Sequence, residues 1–166
     1  MQHLNSGLVF IHAVSHTLSR QVGWTIGRTL GYQVTLDWIT QPLIEGAVRT
    51  EFLWQGEPAS GAELTSALAG WRDLYFEVTQ LPSEDDPGSR WQYTPDLGIK
   101  HRTTDAIGNI LVGEDEMRAA MTRAGSNAFE LQAEMKNLLA EPWDSALEPL
   151  RAVGDAARVV WLHRVG

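Results

Sequence analysis

Residues 12–16 read HAVSH, and these two imidazoles four apart are the first arrangement in the chain that could do chemistry. On one turn of a helix, such a pair presents both rings to a metal ion. Here the pair straddles an element boundary. His12 ends an apolar run, and His16 follows Ser15, which reads as a helix N-cap. No glutamate stands beside either histidine to act as a base. The spacing therefore predicts a strand-end histidine and an exposed first-turn histidine, with no metal and no cofactor. Ser15 and His16 do not make a nucleophile and base, because adjacent side chains rarely aim at one another. Gly56 and Gly61 have part of the spacing of a phosphate loop, but Ala62 and Glu63 stand where a lysine and a hydroxyl residue are required. That stretch predicts a turn into a helix. Thr94-Pro95-Asp96-Leu97-Gly98 is a turn signature. The remaining chemical alternative is a small-ligand enzyme or sensor. Its site would lie between two halves of the chain, lined by His12, Asp37, Asp96 and His101; a metal site would have to be assembled in space from His12, His101, Asp37 or His163.

Whatever positions these residues is a folded, acidic protein of 166 residues with a formal charge of −8. Both halves are acidic and neither carries a basic stripe, so phosphate repulsion argues against nucleic acid as a partner. Cysteine is absent, which removes disulfides and thiolate-held metals. The apolar runs are too short to span a bilayer. The first residues lack the basic-then-apolar order of a secretion signal. These features predict a soluble cytoplasmic protein.

The hydropathy pattern orders the elements. GLVFIHAV (7–14) predicts a strand covered on both faces. Leu18, Val22, Ile26 and Leu30 predict a helix stopped by Gly31, with Trp24 counted among its core residues. Tyr32–Ile39 and Ala47–Trp54 alternate as strands. Ser60 followed by Glu63 predicts a capping box opening a short helix, and LYFEVT (74–79) is a further strand. The order β-α-β-β-α-β over residues 1–80 predicts a ferredoxin-like half, its helices on one face of an antiparallel sheet. Residues 81–166 predict a second α+β half sharing a core with the first. It begins with an exposed loop, LPSEDDPGSR (81–90), and continues with short strands at Trp91–Thr94, Gly98–Thr103 and Asn109–Val112. A helix opened by Glu114, Asp115 and Glu116 follows, then one or two more helices. The chain closes on RVVWLHR (158–164), predicted as a strand.

Several stretches also resemble one family along nearly the whole chain and in the same order. They are LDW (36–38) with QP (41–42), WQG (54–56), FEVT (76–79), TPDLGI (94–99), EPWDSALEPLR (141–151) and WLHRV (161–165). They are similar to the actinobacterial family of domain of unknown function 3145. The sequence departs from the family pattern at AVGDAARV (152–159). The resemblance carries no catalytic residues. It implies an association with fatty-acid synthesis.

With no recognisable catalytic set, the sequence predicts a non-catalytic accessory or regulatory protein that docks on a larger enzyme. The resemblance directs that expectation to an acyl-CoA carboxylase or a fatty acid synthase. Trp71, Trp91 and Trp143 fall at element edges and are expected to anchor the interface. Glu84, Asp85 and Asp86 are expected to offer charge to a basic partner. A self-assembling role through an exposed sheet edge is a third reading.

Overall fold

The computed structural model describes the backbone over residues 4–163 and the side chains over 4–153. Strand β1 (Asn5–Ser15) leads through a 3-10 turn (His16–Leu18) into α1 (Ser19–Leu30). Then come β2 (Ile39–Thr40), β3 (Ala47–Gly56), α2 (Ser60–Leu68) and β4 (Tyr75–Gln80). The second half supplies β5 (Gly88–Thr94), β6 (Gly98–Thr104) and β7 (Ile110–Leu111). Helices α3 (Glu114–Ala124), α4 (Ala128–Leu138) and α5 (Glu141–His163) follow. Among the described residues no helix is long and apolar enough to cross a membrane.

All seven strands form one antiparallel sheet in the order β2-β3-β1-β4-β5-β6-β7. The two halves of the chain therefore share one sheet, joined where β4 pairs with β5. Period-two alternation sorts the side chains by face. Val9, Ile11, Trp54, Phe76, Val78 and Trp91 point to the side on which α1 and α2 pack through Val22, Ile26, Leu64 and Leu68. The opposite side carries His12, Ala13, Glu77, Arg90 and Gln92, and α5 lies across it.

A bulge in β1 makes this arrangement work. Its register to both neighbours shifts between Ile11 and the next paired residue, Val14 on the β3 side and Ala13 on the β4 side. The extra residue lets His12 and Ala13 face α5 in succession, and returns Val14 to the α1 side.

Several expectations change here. Ser15 stands at the N-cap position of the 3-10 turn, but its side chain caps nothing: its hydroxyl meets that of Thr17, and α1 begins four residues later. Ser60 does not form a capping box with Glu63, because the N-cap position is Ala59 and no side chain caps it. The strand expected over Tyr32–Ile39 shrinks to Ile39–Thr40. Gly31 ends α1 in the left-handed region at φ 77°, and Val34, Leu36 and Trp38 then tuck against the core beside α1. Their apolar contacts draw the backbone off the ladder. The closing strand is also replaced. Through His163 the chain continues α5, and Arg164 lies outside the described residues. An apolar succession such as VVWL has no period that separates strand from helix, whereas extending an existing helix adds one hydrogen bond per residue. Helix α3 opens on Glu114, Asp115 and Glu116 as expected, and the Glu116 carboxylate accepts from the Gly113 N–H at 2.9 Å.

Trp24 and Trp91 exchange their expected roles. Trp24 lies two residues from Val22, about 200° around the helix, and is 64% exposed. Trp91 alternates inward on β5 and is buried, stacked on His101 with ring centres 4.8 Å apart. Gly61 permits this, since a Cβ there would come within 2.7 Å of the Trp91 ring.

Candidate functional site

Polar side chains converge under α5, at a place the sequence did not mark. Glu77 alternates between Phe76 and Val78 on β4, so a core strand must carry a carboxylate on its second face. Burying a charge is costly unless it is paired and hydrogen-bonded. The pairing is complete. Glu77 Oε2 accepts from His12 Nε2 at 2.6 Å and from Arg151 Nε at 2.9 Å. Glu77 Oε1 accepts from Arg90 Nη2 at 2.8 Å, from Gln92 Nε2 at 3.2 Å and from Arg151 Nη2. Asp144 Oδ1 accepts from the same three side chains, Gln92 at 2.7 Å and Arg90 and Arg151 at 2.9 Å.

Local structure explains the convergence. Glu77 faces Gln92 across the β4–β5 ladder, and Arg90 is two residues along the same face of β5. Asp144 and Arg151 are seven apart, two turns of α5, with the fully buried Leu147 between them. Gln41 closes the far end by donating to the carbonyls of His12 (2.8 Å) and Leu150 (3.5 Å). Phe10 stacks on His12 with ring centres 4.5 Å apart, and the Arg49 guanidinium lies over Phe10.

The electrostatics assign this cluster a role. Two carboxylates balance two guanidiniums. Burial pushes the Glu77 carboxyl up, but the hydrogen bonds and charges of His12 and Arg151 more than reverse this and hold it far below the ordinary carboxylate range. A general base needs a pKa near the working pH and a lone pair open to substrate. Glu77 has neither. Burial opposes the charge of Arg151, but Glu77 and then Asp144 outweigh it, so this guanidinium is held as a permanent cation. The cluster is a clamp that fixes α5 to the sheet.

A second, smaller clamp joins the far end of the sheet to α3. Arg102 on β6 forks onto Glu116 at 2.7 and 3.1 Å. That contact, with the Gly113 N–H, lowers the Glu116 carboxyl to about 2.

The residues singled out from the sequence are spread across the molecule. His12 is buried in the clamp and His16 lies in the 3-10 turn. Asp37 precedes β2 at one edge of the sheet, Asp96 sits in the β5–β6 turn, and His101 stacks on Trp91 on the α2 side. The structure does not bring His12, Asp37, Asp96 and His101 together, and His163 has no described side chain. Among the described residues no three His, Asp or Glu side chains are grouped to hold a metal ion.

Of the three tryptophans expected at element edges, one needs correction. Trp91 is core. Trp71 is half-buried and packs against the core. Trp143 is half-buried, donates its indole N–H to the Gly98 carbonyl at 3.0 Å and lies under the Lys100 ammonium. It pins α5 to β6, so Trp143→Ala should lower unfolding free energy by about 2–3 kcal/mol, read by urea denaturation. An unchanged midpoint would contradict that role. Glu84, Asp85 and Asp86 are exposed in the loop before β5, where the Ser83 hydroxyl accepts from the Asp86 N–H.

Glu77, Arg90, Gln92, Asp144 and Arg151 do not stand out in the sequence as a site. Two signals were present: an acid flanked by apolar residues in FEVT, and an acid and an arginine seven apart in a helix-forming stretch. No curated protein and no solved structure matches the chain. The sequence pattern of one family matches residues 8–164, nearly the whole length, and the chain therefore belongs to the family described as protein of unknown function, DUF3145.

Proposed function

We propose that this chain is a non-catalytic accessory or regulatory protein that binds a larger enzyme. One observation carries the reading: Trp24 stands 64% exposed on α1, with the Arg28 guanidinium 5.3 Å from its ring centre. Trp24 borders a groove of about 650 Å³ that Val34, Leu36, Trp38 and Arg20 also line. Tryptophan and arginine dominate the energetics of protein interfaces. The clamp supports the non-catalytic part of the reading, since both oxygens of Glu77 are taken by His12, Arg90, Gln92 and Arg151. Exposed acids at Glu84, Asp85 and Asp86 favour a basic partner.

The family resemblance directs the partner to fatty-acid metabolism, an acyl-CoA carboxylase or a fatty acid synthase, in the cytoplasm. The strand order β2-β3-β1-β4, with α1 and α2 on one face, supports reading the first half as a ferredoxin-like unit.

Binding of the purified chain to each of these enzymes is measurable by biolayer interferometry. Trp24→Ala should weaken the association at least about 30-fold while moving stability by less than about 0.5 kcal/mol. Recovery of the tagged protein from its own cell alone, with no binding to either enzyme, would reject the reading.

A further inference from the structure

One wall of the groove beside Trp24 is a strand without a ladder. Burial alternates along residues 33–38: Val34, Leu36 and Trp38 pack against the core, while Gln33, Thr35 and Asp37 are exposed. That is the period of an extended strand. Yet none of these six residues makes a hydrogen bond among the described residues, and pairing to β3 begins only at Ile39↔Arg49. Two glycines of α1 let the segment lie close along the helix. A Cβ at Gly23 would sit 3.4 Å from Leu36 Cδ1, and one at Gly27 would sit 3.0 Å from the Tyr32 carbonyl oxygen. The wall therefore offers backbone donors and acceptors to an added strand.

The charge of the groove selects what is added. Arg20, Trp24 and Arg28 recur every four residues on α1, exposed and one position along from the glycine row. Neither arginine has a carboxylate partner among the described residues, and Arg28 lies over the Trp24 ring. Residues 1–36 contain both arginines and no acid, whereas all 21 acids of the chain lie at Asp37 or beyond. No acid lines the groove, and alternation turns Asp37 to the outer face of its segment. Glu84, Asp85 and Asp86 belong to the loop before β5 and lie off the groove. An acidic protein thus keeps a cationic, aromatic strip along α1, complementary to negative charge.

We infer that the occupant is an acidic segment of the larger partner, extended beside residues 33–38 and hydrogen-bonded to them as an added strand. The inference rests on the docking function proposed above for the existence of a partner, and adds the chemistry that is read. The pattern follows from two repeats. Arg20 and Arg28 are eight residues apart, about 12 Å along a helix. Four residues of extended chain cover about 13 Å. Strand side chains at i, i+2 and i+4 share a face. The segment therefore carries acids at i and i+4, which meet the two guanidiniums, and an apolar residue at i+2, which meets Trp24.

The test uses the full chain and the peptide TETFTET, with TQTFTQT as the neutral control and TTEEFTT as the spacing control. In nuclear magnetic resonance, TETFTET should shift the Trp24 indole signal and the amides of residues 33–38, and slow hydrogen exchange at alternate amides of that stretch. It should bind at least about tenfold more tightly than either control and weaken with added salt. The double variant Arg20→Glu, Arg28→Glu should keep native circular dichroism, since both side chains are exposed, and should exchange its preference to TKTFTKT. Equal affinity for TETFTET and TQTFTQT overturns the inference. So does binding that leaves exchange at residues 33–38 unchanged, or a failure of TETFTET to bind at millimolar concentration while phosphatidylglycerol vesicles do. In the enzyme-binding assay, association lost in Trp24→Ala but kept in the double arginine variant rejects this inference and leaves the docking function standing. Absence of association with either enzyme rejects that function alone, and the peptide affinities still decide the groove's chemistry.

Discussion

Glu77→Gln should cost this protein about 3–5 kcal/mol of stability, the penalty for removing one partner from a buried charge cluster. For a chain of this length that corresponds to a drop in Tm on the order of 10 °C. The carboxylate receives five hydrogen bonds from His12, Arg90, Gln92 and Arg151. A neutral amide in its place leaves Arg90 and Arg151 with Asp144 and the exposed Glu148 to balance them, and its NH₂ group turns a donor toward donors. Differential scanning calorimetry measures the loss. Arg151→Met combined with Glu77→Gln should cost less than the sum of the two single changes, because the second change removes a charge the first has stranded. Additive costs would show that the two residues do not act as one clamp.

The same residue sets part of the acid response. In the unfolded chain the Glu77 carboxyl returns to its ordinary value, near 4.3. In the folded protein it lies far below, since His12 and Arg151 outweigh the effect of burial. A group depressed on folding contributes stability that is fully present above its unfolded pKa. That stability is lost as pH falls through the ordinary carboxylate range toward the folded value. Glu116, lowered to about 2 by Arg102 and the Gly113 N–H, acts in the same direction. Stability of the parent chain should therefore fall between about pH 5 and pH 2, and the Glu77→Gln chain should show a visibly flatter slope over that range. Equal slopes would assign the acid sensitivity to other carboxylates.

Gly7→Ala should be nearly as damaging. A Cβ at Gly7 would lie 1.8 Å from the carbonyl oxygen of Thr79 and 2.9 Å from the ring of Trp54. The first of these atoms belongs to the backbone of β4, and the second to a side chain only 1% exposed. Neither can yield without moving the centre of the sheet. The expected cost is about 3 kcal/mol, at the upper end of overpacking penalties. In urea the midpoint should fall while the slope stays the same. An unchanged midpoint would mean that β1 and β4 are spaced more widely than the register Gly7↔Gln80 requires.

Much of the architecture was legible because it is local. Val22 and Ile26 repeat at helical spacing, and Phe52 and Trp54 alternate. The acids at 114–116 suit the positive end of a helix. What failed lay where tertiary contacts overrule a local pattern. Tyr32–Trp38 alternates like a strand, but Val34 and Leu36 find better burial against α1. VVWL has no period at all, and its state follows from the helix already running into it. Trp91 follows a loop in the sequence and reads as an edge residue, yet alternation on β5 turns it into the core beside α2.

From the linear chain came the α+β class, the β-α-β-β-α-β order, the acidity and the absence of thiol chemistry. These depend on residue type and on spacing within a few turns, which a single sequence displays directly. The clamp depended on the fold. His12, Glu77, Arg90 and Asp144 are separated by as many as 132 positions (144 − 12) and meet because a bulge in β1, a strand crossover and a returning helix bring three faces together. Spacing along the chain has no term for such a meeting. It is set by which surfaces the apolar core leaves for α5 to cover.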